Sequence, residues 1–161
     1  MPIYKSLQTL LRLPLFMQQV HSNMFKFRLP IQVRFRDLDS LKHVNNAVYL
    51  TYLEIARIEY WKALRFEPVR PSMLLARVEI DYLKPVLFDD QVEVAVRVSE
   101  FGTKSFVMPF EILANGTVAA KGSSVLVWFD HAANVSVVIP DSARAVIQAF
   151  EDGTVLGRVR S

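Results

Sequence analysis

The stretch VRFRDLDSLKHVNNAVYLTYLEIARIEYW, from Val33 to Trp61, changes its periodicity part-way along. Its first residues continue an alternation that begins upstream. Leu29, Ile31, Val33 and Phe35 alternate with Arg28, Gln32, Arg34 and Arg36, which predicts a strand over about 27–36 with one apolar face. Pro30 suits an edge or early strand position, because proline donates nothing to a ladder. Asp37 to Asn45 is polar and reads as a loop. From Asn46 to about Leu64 the apolar period becomes helical: Tyr49, Leu53, Ala56, Tyr60 and Leu64 recur at helix spacing, and Tyr52, Ile55 and Ala63 widen the stripe. Such a helix spans about 28 Å at ~1.5 Å per residue, long enough to be the central element of a small domain.

Outward from this stretch the chain turns β-rich. Pro68 and Pro71 close a connecting loop, and apolar runs follow at 74–86, 91–101, 104–113 and 118–130, with a short one at 135–139. Asn115-Gly116 is a strong hairpin signal, since both residues accept positive φ. Gly102-Thr103 predicts a second tight turn. Asp141 or Ser142 is placed to cap a last helix running through Phe150. One strand, one long helix and four or more antiparallel strands make an α+β fold, with one sheet packed on one main helix.

Composition narrows the chemistry. The 161 residues hold no cysteine, which excludes disulfides, thiolate metal sites and a cysteine nucleophile. His21, His43 and His131 lie too far apart to form a metal-ligand motif, so no metal and no cofactor is expected. A net charge of +3 is too weak for a nucleic-acid stripe, although it suits a phosphate-bearing substrate. No apolar run reaches the ~18 residues of a membrane span, and the expected compartment is the cytoplasm. Residues 1–23 are free of acidic residues and carry Lys5 and Arg12. They read as an extension outside the core: an amphipathic surface helix, a transit peptide, or a stretch upstream of a true start at Met24. Residues 24–161 read as a single domain.

The chemistry-bearing residues are the carboxylates Asp37 and Asp39, set between a strand end and a helix start. The first N–H groups of a helix lack internal partners and sit at the positive end of its dipole. They suit a polarised carbonyl oxygen, and a carboxylate just upstream can attack beside it or activate water there. Acyl transfer requires that pairing.

The pattern Asp37-x-Asp39, His43-Val44-Asn45-Asn46, Tyr49 and Ala56-Arg57-x-Glu59 resembles the 4-hydroxybenzoyl-CoA thioesterase branch of the hotdog-fold acyl-CoA thioesterases. Asp81-Tyr82-Leu83-Lys84-Pro85, Asp90 and Lys104-Ser105-Phe106 extend the likeness over about 27–150. The resemblance implies an antiparallel sheet wrapped around a long helix, and a homodimer or homotetramer with sites between subunits. It implies an acyl-CoA substrate, with Asp39 as the catalytic carboxylate and the Asn46 N–H as the oxyanion donor. His43, Asn45, Tyr49, Lys104 and Ser105 become candidate substrate contacts, the last two for CoA. Nucleophile and general base stay open as roles for Asp39.

Lys42 stands where this family often has glycine, so the loop either turns differently or directs Lys42 at substrate phosphate. Glu54 or Glu59 is the alternative carboxylate, on the pattern of another hotdog branch. Asp37 reads as structural, either bonding loop N–H groups or paired with Arg36 or Arg57. Acyl carrier protein in place of CoA, or acyl-CoA binding without turnover, are the competing functions.

Overall fold

The computed structural model describes residues 24–65 and 73–153. The expected extension at 1–23 and the Pro68–Pro71 loop lie outside them.

Strand β1 (Phe27–Ile31) opens the fold, and a 3-10 turn (Phe35–Asp37) leads into helix α1 (Asn46–Ala63). Strands β2 (Met73–Tyr82), β3 (Val92–Val96), β4 (Glu100–Phe101), β5 (Ser105–Ala114), β6 (Thr117–Asp130) and β7 (Val135–Ser136) follow, then helix α2 (Asp141–Asp152). All pairings are antiparallel. The main path runs β1-β3-β5-β6-β2, with β4 on β5 and β7 on β6. Helix α1 packs across β1 and β3, the arrangement expected of a hotdog fold.

The core lies between α1 and one face of the sheet. Tyr49, Tyr52, Leu53, Ala56, Tyr60, Trp61 and Leu64 are buried there against Val94, Val96, Phe106, Phe110 and Ile112. Ile55, expected to widen the apolar stripe, is instead exposed, as is Ile58. Pro30 sits on the β1 edge opposite Glu93. Asn115 and Gly116 both take positive φ, 51° and 73°, and turn the β5–β6 hairpin.

Several expected boundaries move. Strand β1 stops at Ile31, because the Asp37 carboxylate accepts the Arg34 N–H at 2.9 Å and draws the chain into the 3-10 turn. Phe35 consequently faces solvent at 81% exposure. The run at 91–101 divides into β3 and β4 where it passes Pro109 on β5, which has no N–H to offer the opposing strand. Strand β2 ends at Tyr82, and Leu83 and Lys84 both donate to the Ala119 carbonyl as the chain turns away. Neither Asp141 nor Ser142 caps α2; its N-cap position is Pro140, and Gly153 ends it in the left-handed conformation.

Strand β2 is an edge with no buried residue, and it presents Leu74, Leu75 and Tyr82 to solvent. It also exposes Arg77, Glu79 and Asp81, and its outer backbone edge is of the kind that can template another strand. Among the described residues, no helix is long and apolar enough to cross a membrane.

Candidate active site

Asp39 lies in the loop between the 3-10 turn and α1. Its Oδ1 accepts the N–H groups of Leu41 at 2.8 Å and His43 at 3.1 Å, while its own N–H donates to the His43 carbonyl at 2.7 Å. The aspartate is therefore the internal template of its loop. No described residue donates to Oδ2, which leaves one carboxylate oxygen open for chemistry.

Lys42 adopts φ 62°. The loop keeps the turn that glycine would make freely, and the lysine bears a strain of about 1 kcal/mol. The geometry thus survives the departure from the family pattern.

Helix α1 starts where expected. Asn45 is its N-cap, and its side-chain oxygen accepts the Ala47 N–H at 2.9 Å. Asn46 follows as the first helical residue. Its N–H is one of the donors a helix leaves open, and it finds no acceptor among the described residues. Its carbonyl accepts the Tyr82 hydroxyl at 3.1 Å, which brings β2 against the helix start. Tyr49, one turn on, is buried at 2% exposure, with its ring edge-on to Tyr82 at 5.1 Å. His43 is half-buried and bridges to Leu87 through its backbone.

Asp37 is buried but is paired neither with Arg36 nor with Arg57. Arg34 holds it through Nη2 at 2.9 Å and Nε at 3.1 Å, and the Tyr52 hydroxyl donates at 2.8 Å. Burial pushes this carboxyl up, but the bonds from Arg34 and Tyr52 outweigh it and hold Asp37 below the usual carboxylate range. Tyr52, pushed up by burial and by Asp37, stays a neutral donor. Strand-like alternation gives no hint of Arg34 as the partner, because its side chain returns to Asp37 only once the 3-10 turn has formed.

Lys104 and Ser105 lie elsewhere. Ser105 pairs with Val127, which stands opposite Leu74, whereas Tyr82, against Asn46, pairs with Ala120. The seven steps along β6 from Ala120 to Val127 correspond to about 23 Å of strand at ~3.3 Å each. Within one chain these two candidate contacts do not join the Asp39–Asn46 cluster. Lys104 instead donates to the Ser136 carbonyl at 2.9 Å. The alternative carboxylates are also remote. Glu54 sits on the exposed helix face, about 12 Å along the axis from Asn46 at ~1.5 Å per residue. Glu59 is engaged by Lys62 at 2.6 Å.

A model of the Thioesterase-like superfamily matches residues 33–147, which takes in this whole loop and helix. The chain belongs to that superfamily. A thioesterase from Thermus thermophilus, crystallised with coenzyme A and zinc, shares 43% identity and superposes with a TM-score of 0.75, over 80% of this chain and 96% of that one. The acyl-CoA thioesterase YbgC of Haemophilus influenzae is 26% identical across 74% of this chain and 92% of its own. YsmA of Bacillus subtilis, an uncharacterised protein, is 30% identical across 53% of this chain, and the match spans 60% of its length. The hotdog architecture is thereby shared with solved thioesterases. For the zinc in the Thermus structure, the described residues of this superfamily member hold no group of three His, Asp or Glu side chains fit to bind a metal, and no chemical step is assigned to one.

Proposed function

We propose that this thioesterase-like protein hydrolyses an acyl-CoA thioester to the free acid and CoA, with Asp39 as the reacting carboxylate. The reading is supported by an Asp39 oxygen and an Asn46 N–H, on either side of one loop, that both lack a hydrogen-bond partner among the described residues. In the general-base route Asp39 takes a proton from water, and the water oxygen attacks the thioester carbon. The carbonyl electrons move onto oxygen, where the Asn46 N–H and the helix dipole stabilise them. Collapse re-forms the C=O and breaks the C–S bond, and the thiolate takes back the proton from Asp39. In the nucleophilic route the carboxylate itself expels the thiolate, leaving a mixed anhydride that water then opens. Label found in Asp39 after one single turnover in isotopically labelled water marks the second route, through water attack on the Asp39 carbon of the anhydride; the first route never labels Asp39.

We further propose a homodimer formed by antiparallel pairing of two β2 edges. Such pairing sets the Tyr82 end of one strand against the Leu74 end of the other. It would carry the partner's Lys104 and Ser105 row toward this chain's Asn46 and give those residues their expected place near CoA. His43, Asn45 and Tyr49 keep their proposed substrate-side placing through this loop and first turn, with Asn45 acting chiefly as the cap. The 4-hydroxybenzoyl-CoA branch is our finer assignment, and the cytoplasm our proposed compartment. The test is CoA-thiol release across short, long and aromatic acyl-CoAs. Turnover of at least one class is expected; binding without turnover of any would overturn the reading.

A further inference from the structure

A buried phenol holds the loop that carries Asp39. Asp37 is 2% exposed and Tyr52 1%. Tyr52 comes from α1, and its hydroxyl donates to Asp37 Oδ2 at 2.8 Å, while Arg34 supplies the remaining donors to that carboxylate. The Asp37 backbone carbonyl is engaged as well. It accepts, at 2.8 Å, the N–H of Asn45, the cap that immediately precedes Asn46. One residue is thus tied to the helix interior through its carboxylate and to the helix start through its carbonyl. Two positions further on lies Asp39, whose loop is closed on itself by the Leu41 and His43 N–H groups. The segment between the carboxylate and the oxyanion donor is therefore anchored to α1 at Asp37, beside its backbone tie from Val44 N–H to the Val86 carbonyl at 2.8 Å. The Arg34 side chain is 43% exposed, so the rigid, desolvated part of that anchor is Tyr52.

We propose that Tyr52 is a positioning residue for the thioester site: acting through Asp37, it sets the separation between the Asp39 carboxylate and the Asn46 N–H. The proposal rests on the hydrolytic reading above. Hydrogen bonds to an ionised acceptor are short and strong, and a displacement of about 1 Å at a reacting centre costs about 10²-fold in rate. Removing this hydroxyl frees the loop to shift relative to α1 without opening the core.

The same helix supplies its own control. Tyr60 donates its hydroxyl to Glu151 Oε1 at 2.5 Å, and that carboxylate also accepts the Val98 N–H at 2.8 Å. The chemistry is again a buried phenol on a carboxylate. Its place is about 21 Å along α1 from Asn46 at ~1.5 Å per residue, remote from the loop.

The test compares Tyr52→Phe with Tyr60→Phe in the full chain, on the best acyl-CoA from the substrate screen, with thermal unfolding alongside. Both variants are expected to lose a few degrees of Tm. Only Tyr52→Phe is expected to lose kcat, by about 10- to 10²-fold with KM within about twofold. Wild-type kcat in Tyr52→Phe, or equal kcat losses in the two variants, would overturn the proposal. Should Tyr52→Phe not fold, Asp37→Asn and Asp37→Ala take its place. The amide oxygen of Asn can still accept from Tyr52, so it should retain more kcat than Ala, and equal losses would count against the proposal. Full activity in Asp39→Asn would instead remove Asp39 as the reacting carboxylate, whatever Tyr52 does.

Discussion

Tyr82 donates its hydroxyl to the carbonyl of Asn46 at 3.1 Å, so the open edge strand of the sheet touches the first residue of the central helix. That contact places the candidate oxyanion donor beside β2, which among the described strands pairs only with β6 and has its outer edge open. A second copy pairing on β2 would border the site directly. A charge in the apolar Leu74–Leu75 part of that edge should weaken pairing. Leu75→Lys, at a position 44% exposed in the single chain, is expected to sediment as a monomer and to lose most of its kcat/KM. An active monomer would contradict the shared site.

The Asn45 cap offers a second test. Its side chain accepts the Ala47 N–H at 2.9 Å. Asn45→Ala is expected to cost about 1 kcal/mol, and Asn45→Asp to cost little, as typical for caps. In a chain of this size, 1 kcal/mol is about 2–4 °C of Tm, readable by calorimetry.

Lys42 carries strain that glycine would not. With φ at 62°, Lys42→Gly relieves a left-handed lysine. We expect a gain of up to about 1 kcal/mol, set against glycine's larger entropy loss on folding. An unaltered or lower Tm would mean that the lysine side chain contributes more than its backbone costs.

Acid should expose the Asp37 pair. Its carboxyl is held below the ordinary carboxylate value in the folded protein, against burial, by Arg34 and Tyr52. A depressed folded pKa contributes stability in full above the unfolded value and loses it as pH falls from there through the folded one. Tm should therefore decline as pH falls below about 4, and Asp37→Asn should flatten that decline, because Asn does not titrate. An identical acid limb in the variant would show that other carboxylates govern it.

Local signals were the legible ones. The helix start was written in Asn45-Asn46, the hairpin in Asn115-Gly116, and the edge placing of β1 in Pro30. Each depends on the residue's own backbone preference, so no distant partner was needed. Helix periodicity also named most of the buried face, although Ile55 broke the pattern by facing solvent. What failed to show were tertiary partners. Tyr52 reaches Asp37 across 15 positions, and its phenol looked like any core aromatic. Arg34 took the place expected of Arg57 because a 3-10 turn replaced the end of a strand. The distance from Lys104 to Asn46 depended on strand register, which side-chain alternation leaves undetermined. The Asp39 loop was read through its resemblance to a family pattern; position alone would have made that aspartate an Asx-turn or cap residue, and its Oδ1 does close the loop on the Leu41 and His43 N–H groups.

The central claim is that the open oxygen of Asp39 does the chemistry beside the Asn46 N–H. The most direct measurement is the kcat of Asp39→Asn on the best acyl-CoA, with the oligomeric state checked by sedimentation. Asn retains an Oδ1 to accept the Leu41 and His43 N–H groups, so the loop should stand while the base is lost. We predict a fall in kcat of about 10³-fold or more, comparable to losses seen when a principal catalytic group is removed. A kcat within about twofold of wild type, far inside the ~10²-fold expected of general-base loss, would contradict the account.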